Sequence, residues 1–229
     1  GSIVEIESEF EISDLPSAAE LAMEEAAGAS VTCNGTERTG FSGWYMDRAI
    51  STMDIADLLR KGKNTINITW DYRDGMQIEE FYIIGDFGVD ADRTLVSEPA
   101  SLEGGDYCTQ GYPYYSGQMV YTQSVDAAKE NDKTYMLELN GFKGVGAIVR
   151  INGEEAGDLS WPPFSLDITD LIRDGENTVE IEVIGSPRNL LGPKHHKDRY
   201  LSWTGPREFV TEGENFTDEY ILAPHGLNR

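Results

Sequence analysis

Short runs in which apolar and polar residues alternate recur along the chain. They include IVEIESEFEI at 3–12, TINITW at 65–70 and TVEIEV at 178–183. Successive side chains of a β-strand point to opposite faces, so this alternation is typical of strands with one buried face. Runs of the same style, separated by Gly, Asn and Asp, are IEEFYIIGDF, GQMVYTQSV and DEYILAP. The pattern predicts an all-β protein built from β-sandwiches.

One stretch of sequence occurs twice. DIADLLRKGKNTINI at 54–68 and DITDLIRDGENTVEI at 167–181 are identical at nine of fifteen positions, and two more positions exchange aliphatic residues. Upstream, residues 18–35 align with 136–153 without a gap, and both segments end in Asn-Gly. Equivalent residues of the two copies are 118 positions apart in the upstream match and 113 positions apart in the later one. The loop between the two matches is therefore five residues longer in the first copy. A preserved order with one change of loop length indicates a duplicated unit.

Each copy is predicted to contain a strand, a turn, a strand ending at Asn-Gly, a loop, a one-turn helix and a core strand. Asn-Gly favours a tight turn with positive φ. An aspartate that caps the helical turn and a glycine that ends it complete the pattern. These residues are Asp54 and Gly62 in the first copy and Asp167 and Gly175 in the second.

Residues 17–28, SAAELAMEEAAG, also fit a helix. Ser17 and Glu20 match a capping box, and Gly28 matches a helix end. The counterpart TYMLELNGF, at 134–142, alternates apolar and polar residues as a strand does. Because duplicated positions should share one structure, we predict a strand in both copies.

The repeat predicts tandem domains. We expect a first β-sandwich at 1–95 and a second at 96–229, joined by a linker within 90–105 that carries Pro99 and two glycines. Cys33 and Cys108 fall in different halves, which argues against a disulfide, and two cysteines make no Cys-rich metal framework.

The net charge of −23 changes the list of plausible partners. Binding to nucleic acid depends on Lys and Arg displacing counterions, so we expect neither nucleic acid nor an anionic lipid surface as a partner. No apolar run approaches the roughly 20 residues that a membrane helix needs.

Several motifs resemble a known fold family. The order of Asn-Gly followed by DI..LL..G.N.I.I resembles the galactose-binding-like jelly roll of carbohydrate-binding modules and of accessory domains in large bacterial glycoside hydrolases, of family-two-like and rhamnosidase-like type. The resemblance covers about residues 3–227. The other motifs that carry it are GWYMD (43–47), FYIIGDFGV (81–89), QGYPYYSGQMVY (110–121), VRINGEEAGDLSWPPFSLDIT (149–169) and GSPRNLLGPKHH (185–196).

This resemblance implies two tandem jelly rolls, a glycan or oligosaccharide ligand, and a structural calcium ion whose ligands the sequence does not identify. It also implies a catalytic domain elsewhere in the same polypeptide. An extracellular or cell-surface location is favoured, with a cytoplasmic one left open.

Sugar recognition needs aromatic faces for the apolar side of a pyranose and planar polar groups for its hydroxyls. Loops of the second copy supply both, although a packing role remains an alternative for each residue. The candidate carbohydrate-binding residues are Tyr112, Tyr115, Trp161, Arg188, Asn189, His195, His196 and Trp203. A second candidate surface, GFSGWYMDR, includes Trp44 and Arg48, for which packing into the core or against the second sandwich is favoured.

Three functions are compatible with these patterns. The chain is a non-catalytic carbohydrate-binding unit, a structural accessory that supports a catalytic domain, or a free-standing enzyme. We favour the first, with the second next. His195-His196 lacks the HExxH or Cys-pair context of a zinc site, and no catalytic residue is predicted.

Overall fold

The structure, a computed structural model, describes residues 1–228. β-Strands make up 40% and helical segments 6% of it, which confirms the all-β prediction. The chain divides into two compact units: unit 1 is Gly1–Ala100, and unit 2 begins at Ser101. No helix within residues 1–228 has the length and apolarity needed to cross a membrane.

Within the described residues, unit 1 contains ten strands in two sheets, in which most neighbouring strands are antiparallel. The strands are β1 Ile3–Ile12, β2 Ala19–Met23, β3 Ala29–Cys33, β4 Thr36–Arg38, β5 Gly43–Tyr45, β6 Asp47–Asp54, β7 Gly62–Asp71, β8 Tyr82–Gly85, β9 Gly88–Val89 and β10 Leu95–Val96. The larger sheet has the strand order β4-β3-β7-β1-β10-β9 and the smaller has the order β5-β6-β2-β8. A single 3-10 turn, Ala56–Leu58, connects β6 to β7.

Alternation along β7 builds the core of unit 1. Every second residue from Asn64 to Trp70 is buried, while the residues between them are partly exposed. β1 pairs with β7 along its full length, from Ile3 opposite Asp71 to Ile12 opposite Gly62. The predicted strands at 3–12 and 65–70 are therefore confirmed.

The ambiguous segment near residue 20 is a strand, as predicted from its counterpart. β2 lies between β6 and β8 and pairs with both. Leu21 and Ala22 are completely buried there. Local helix propensity amounts to tenths of a kcal/mol per residue, and the burial of a strand between two neighbours outweighs it.

The described part of unit 2 contains eight strands. They are β11 Gln118–Ala127, β12 Met136–Glu138, β13 Phe142–Lys143, β14 Gly146–Ile151, β15 Glu154–Leu159, β16 Ser165–Asp167, β17 Gly175–Ile184 and β18 Gly226–Leu227. These strands form one four-stranded sheet, β11-β17-β14-β15, and two strand pairs, β12-β16 and β13-β18. A short helix, α1 (Arg188–Leu191), and the 3-10 turns Tyr107–Thr109 and Pro206–Glu208 lie in the connections between the strands.

Three local predictions differ from the structure. Residues 218–224, DEYILAP, were expected to form a strand and form none. The predicted linker at 90–105 contains β10, which pairs with β9 and with the end of β1. The expected helical turn of unit 2 is a hydrogen-bonded turn at Ile168–Ile172, closed by the Ile172 N–H bonding to the Ile168 carbonyl at 2.9 Å.

The duplicated segment folds into a corner held by two asparagines, which we term the asparagine clasp. In unit 1, Asn34 Nδ2 donates to Asn64 Oδ1 at 2.8 Å and to the carbonyl of Leu58 at 2.9 Å. Asn64 Nδ2 donates to the carbonyls of Arg60 and Gly62 at 2.6 and 2.9 Å. Asn34 has φ +52° and Gly62 has φ +84°, so the predicted positive-φ turn and the predicted glycine stop are confirmed.

Unit 2 repeats the clasp atom for atom. Asn152 Nδ2 donates to Asn177 Oδ1 at 2.9 Å and to the carbonyl of Leu171 at 3.0 Å. Asn177 Nδ2 donates to the carbonyls of Arg173 and Gly175 at 2.9 and 2.8 Å. The repeated sequence thus encodes one side-chain network that satisfies the backbone of a tight corner.

The capping aspartates also occupy equivalent positions. Asp54 accepts the N–H of Ala56 and Asp167 accepts the N–H of Thr169, each at 2.9 Å. The hydrogen bonds from Thr169 hold the pKa of Asp167 below its ordinary value. Each aspartate thus bonds to the turn that follows it, but the N-cap position of the 3-10 turn in unit 1 is Ile55, which makes no side-chain cap bond.

Strand pairing refines the alignment of the two units. The carbonyl of Ala19 accepts from Ile55, and the carbonyl of Tyr135 accepts from Ile168 in the same way. Tyr135 therefore takes the place of Ala19, whereas the ungapped alignment had paired Ala19 with Leu137. β12 is equivalent to β2 after a shift of two residues.

Candidate functional site

An exposed tryptophan forms one wall of a cleft in unit 2. Trp161 lies in the connection between β15 and β16 and is 77% exposed. The cleft has a volume of about 310 Å³. Its lining includes Asp158, Ser160, Trp161, Pro162, Ser165 and Leu166.

Polar groups line the same cleft as the indole ring. Ser160 Oγ donates to Asp158 Oδ2 at 3.2 Å, and both side chains are exposed. Leu166 supplies part of the apolar surface of the cleft. It packs against Gly157, where an added Cβ would lie 3.2 Å from Leu166 Cδ2. An aromatic face next to a carboxylate and a hydroxyl is suited to a ligand that has both C–H surface and hydroxyl groups.

The predicted tyrosines come together at another place. The rings of Tyr112 and Tyr115 have centroids 5.6 Å apart, and Tyr115 also meets the buried ring of Tyr107 edge-on at 6.1 Å. The hydroxyl of Tyr115 donates to the carbonyl of Gln118 at 3.1 Å. Tyr115 keeps an exposed part, so it can contribute to a binding surface.

Asn189 has no surface to offer a ligand. It is completely buried, and its Nδ2 donates to the carbonyls of Pro113 and Ala223 at 3.0 and 2.8 Å. Its Oδ1 accepts the N–H of Ala223 at 2.8 Å. Asn189 therefore joins α1 to two other segments of unit 2, and we do not retain it among the proposed contact residues.

The neighbouring Arg188 is partly buried. Its Nη2 donates to the carbonyl of Pro193 at 3.3 Å. Nε and Nη1 are buried and have no hydrogen-bond partner among the described residues. Burial lowers the pKa of Arg188.

The two predicted histidines bond to their own loop. His195 Nδ1 lies 2.9 Å from the carbonyl of Thr217, and its ring meets Tyr220 edge-on at 5.0 Å. His196 is buried and its Nδ1 accepts the N–H of Asp198 at 3.0 Å. The contacts of His195 tie the two ends of the segment 197–215 together.

Trp203 projects from that segment and is 73% exposed. A Cβ added at Gly205 would lie 2.7 Å from Trp203 Nε1, so the indole rests directly on this glycine. The N–H of Gly205 donates to Glu208 Oε2 at 2.9 Å, which fixes the turn beneath the ring. Tyr200 and Phe209 on the same segment are also exposed.

Sequence reasoning did not identify a cysteine–histidine contact in unit 2. Cys108 Sγ lies 3.8 Å from His225 Nδ1, and Asn189 Nδ2 lies 3.4 Å from the same sulfur. Burial raises the pKa of Cys108 to about 12 and lowers the pKa of His225. A thiol with this pKa stays protonated near neutral pH, so the pair is not an activated nucleophile.

The predicted residues therefore fall into separate groups. Trp161 lies in a defined cleft, and its cleft partners Asp158 and Ser160 were missed. The sequence could have indicated these two residues only through their closeness to Trp161, since Asp158 lies three residues before it and Ser160 one residue before it. In unit 1, Trp44 is exposed but its ring is covered by the guanidinium of Arg48, 5.4 Å from the ring centroid.

Residues 1–228 contain no group of three or more His, Cys, Asp or Glu side chains placed to hold a metal ion. Calcium ligands also include backbone carbonyls and waters. Calcium binding stays a prediction.

Comparison with known proteins gives limited matches. No protein-family model matches the chain. A Formosa agariphila protein named "Putative beta-glucuronidase" is 36% identical over 86 residues, which correspond to 36% of this chain and 7% of that protein. The chain thus spans a small fraction of this curated relative.

Two of the solved structures to which the chain is similar are an α-L-rhamnosidase and a rhamnosidase. The Streptomyces avermitilis enzyme complexed with L-rhamnose shares 12% identity and a TM-score of 0.35, over 80% of this chain and 22% of that one. A rhamnosidase from a Novosphingobium species shares 18% identity and a TM-score of 0.38, over 99% of this chain and 21% of that one.

Proposed function

We propose that this chain is a non-catalytic accessory region of a glycan-degrading enzyme and that it binds carbohydrate at the Trp161 cleft. The curated relative that matches 86 residues is named as a glycosidase, and the match covers a small part of it. This supports an association with a larger enzyme. The exposed indole of Trp161 at the wall of the cleft is the observation that carries the binding site.

The polar groups of the cleft favour a neutral sugar. Asp158 accepts hydrogen bonds, and Ser160 both donates and accepts. A hydroxyl-rich pyranose can donate to the carboxylate while its C–H face lies on Trp161. A uronate would bring a second carboxylate next to Asp158, in a chain of net charge −23, and like charges repel.

The test is a titration with neutral and acidic oligosaccharides, chosen from a glycan array and followed by calorimetry. We expect weak binding of neutral sugars by the full chain. Trp161→Ala should weaken it about tenfold or more, because an aromatic contact contributes about 1.5 kcal/mol. Trp161 is exposed, so its removal leaves the core intact.

Trp203→Ala is the matched control, because it removes an equally exposed tryptophan outside the cleft. We expect its affinity to equal that of the unmodified chain. No binding at millimolar sugar, or equal loss from both variants, would contradict the assignment of the cleft. Turnover of chromogenic glycosides by the chain would contradict its non-catalytic role.

The alternative is a structural accessory region that docks against a catalytic domain of the same polypeptide without binding sugar. The observation in its favour is the exposed aromatic set on residues 197–215: Tyr200, Trp203 and Phe209. A chain that binds no glycan, and whose Trp203 becomes shielded from a fluorescence quencher when the separately expressed catalytic domain is added, would support this alternative.

A further inference from the structure

The two units differ at one edge of the smaller sheet. In unit 1, β8 pairs antiparallel with β2, with Ile83 opposite Leu21 and Ile84 opposite Glu20. β12 is the equivalent of β2 in unit 2, and within the described chain it pairs with β16 alone. The edge of β12 that corresponds to the β8 side of β2 is therefore open.

The hydrogen-bond pattern shows which backbone groups are left at this edge. Tyr135 and Leu139 bond toward β16, through the Tyr135 carbonyl to Ile168 and the Leu139 N–H to Phe164. Because the pairing direction alternates along an antiparallel strand, the N–H and C=O groups of Met136 and Glu138 point the other way. In β2 the equivalent groups, on Glu20 and Ala22, face β8.

The core beneath the open edge is incompletely covered. Leu21 in unit 1 is 0% exposed, whereas its equivalent Leu137 is only partly buried. The same change from full to partial burial occurs at three further equivalent pairs. They are Met53 and Leu166, Ile66 and Val179, and Ile68 and Ile181.

The segment that covers this region in unit 1 has a different course in unit 2. After β7, residues 76–87 return across the core and contribute Ile83 and Phe87 to it. After β17, the N–H of Gly185 donates to the carbonyl of Gly117 at 3.0 Å, and Asn189 binds Pro113. This segment is thus anchored to residues 113–117 and does not add a strand to β12.

We infer that the open edge of β12 binds an extended strand from a partner polypeptide, in the antiparallel position that β8 occupies in unit 1. Strand addition supplies the missing backbone hydrogen bonds and covers the exposed side of the core. Residues of the partner opposite Tyr135 and Leu137 face the core and are apolar. The residue opposite Glu138 faces solvent and is basic, because a cross-strand pair of opposite charge is favourable.

Charge selects this occupant over a second molecule of the same chain. Each molecule has a net charge of −23, so two molecules repel each other strongly, and this repulsion disfavours pairing between their open edges. A basic, alternating peptide is attracted by the same charge.

A synthetic peptide in which isoleucine alternates with lysine is the probe, added to the full chain. In the free protein the amide protons of Met136 and Glu138 should exchange rapidly with solvent. We expect the peptide to protect these two amides while the exchange of β16-facing amides stays unchanged. A peptide that alternates isoleucine with glutamate is the charge control and should not bind.

Met136→Pro removes one outward N–H without touching the bonds to β16, and proline is tolerated on edge strands. It should lower the peptide's affinity about tenfold, which corresponds to loss of one or two hydrogen bonds. Met136→Thr keeps the N–H and should bind as the unmodified chain does. If Met136→Pro does not fold, a peptide N-methylated at the amides that face β12 gives the same comparison with the unmodified chain.

Binding without protection of Met136 and Glu138, or equal affinity for Met136→Pro and Met136→Thr, would overturn the inference. So would concentration-dependent self-association that protects the two amides in the absence of peptide. None of these three outcomes depends on whether the Trp161 cleft binds sugar.

Discussion

At the scale of single residues, the asparagine clasp accounts for the most constrained positions in the repeat. Asn177 is almost completely buried and makes four side-chain hydrogen bonds, two through Nδ2 and two through Oδ1. An alanine in its place would leave the carbonyls of Arg173 and Gly175 without their donor. The clasp therefore fixes the corner through backbone satisfaction, with little contribution from apolar contact.

We expect Asn177→Ala to lower the free energy of unfolding by about 2–4 kcal/mol, because it leaves buried backbone groups unsatisfied. Urea unfolding monitored by circular dichroism measures this. Asn67→Ala is the control: its amide makes an exposed bond to Glu5, and its loss should cost less than about 1 kcal/mol. Equal effects of the two substitutions would show that the clasp does not hold the corner.

The sequence predicted the exposure of some candidate site residues and not of others. Exposure of Trp161 followed from its position before two prolines in a loop. Burial of Asn189 did not, because the carbonyls that engage it, Pro113 and Ala223, are distant in sequence. Polar residue type alone does not distinguish a ligand contact from a backbone clamp.

At the scale of elements, comparison between the two copies was more informative than either sequence alone. The segment around residue 20 has helix-favouring residues, and only its counterpart at 134–142 indicated a strand. The run IEEFYIIGDF predicted the strand after β7, since it contains β8. The absence of an equivalent strand after β17 was not predictable, because it depends on where a non-repeated segment is anchored. The repeat predicted the corner that both units share. It gave no information on the edge of β2 and of β12, where the two units differ.

We expect the two corners to be interchangeable. The variant Ala56→Thr/Leu59→Ile/Lys61→Asp gives residues 54–62 of unit 1 the sequence of residues 167–175 of unit 2 and keeps the clasp. It loses the exposed Lys61–Asp14 ion pair and makes one volume-conserving core change, so the loss in stability should be at most about 2 kcal/mol. Differential scanning calorimetry measures it.

The control adds Gly62→Ala to the same variant. Gly62 has φ +84°, a conformation that costs an L-residue about 1 kcal/mol or more. Its melting temperature should fall below that of the triple variant. A triple variant that fails to fold would contradict the equivalence of the corners.

At the scale of the whole molecule, stability should depend on pH in two separate ranges. Hydrogen bonds lower the pKa of several carboxyl groups. Stabilisation by these groups is present above their ordinary pKa of 3.8 and is lost as the pH falls through their lower folded-state values. They are Asp14 with Lys61, Asp57 with Arg38, and Asp86 with Ser17.

The histidine in unit 2 acts at higher pH. Burial lowers the pKa of His225 from its ordinary value of 6.5, while the Ala223 carbonyl and Asp106 oppose this shift. The unfolded chain therefore binds a proton that the folded chain does not, and stability falls as the pH drops below about 6.5. For one proton the slope is at most about 1.4 kcal/mol per pH unit.

His225→Phe keeps a ring stacked near Tyr107, where the centroids are 5.8 Å apart, and removes the titrating group. The variant should show a flatter loss of stability between pH 6.5 and pH 4.5 than the unmodified chain. Below pH 4 both proteins should lose stability together, since the carboxyl groups then titrate in both. Parallel curves from pH 7.5 to pH 4.5, measured by urea unfolding at constant ionic strength, would contradict the role of His225. The same series at high salt separates the effect of His225 from repulsion among the acidic residues, because salt screens exposed charges more strongly than it changes the cost of protonating a buried ring.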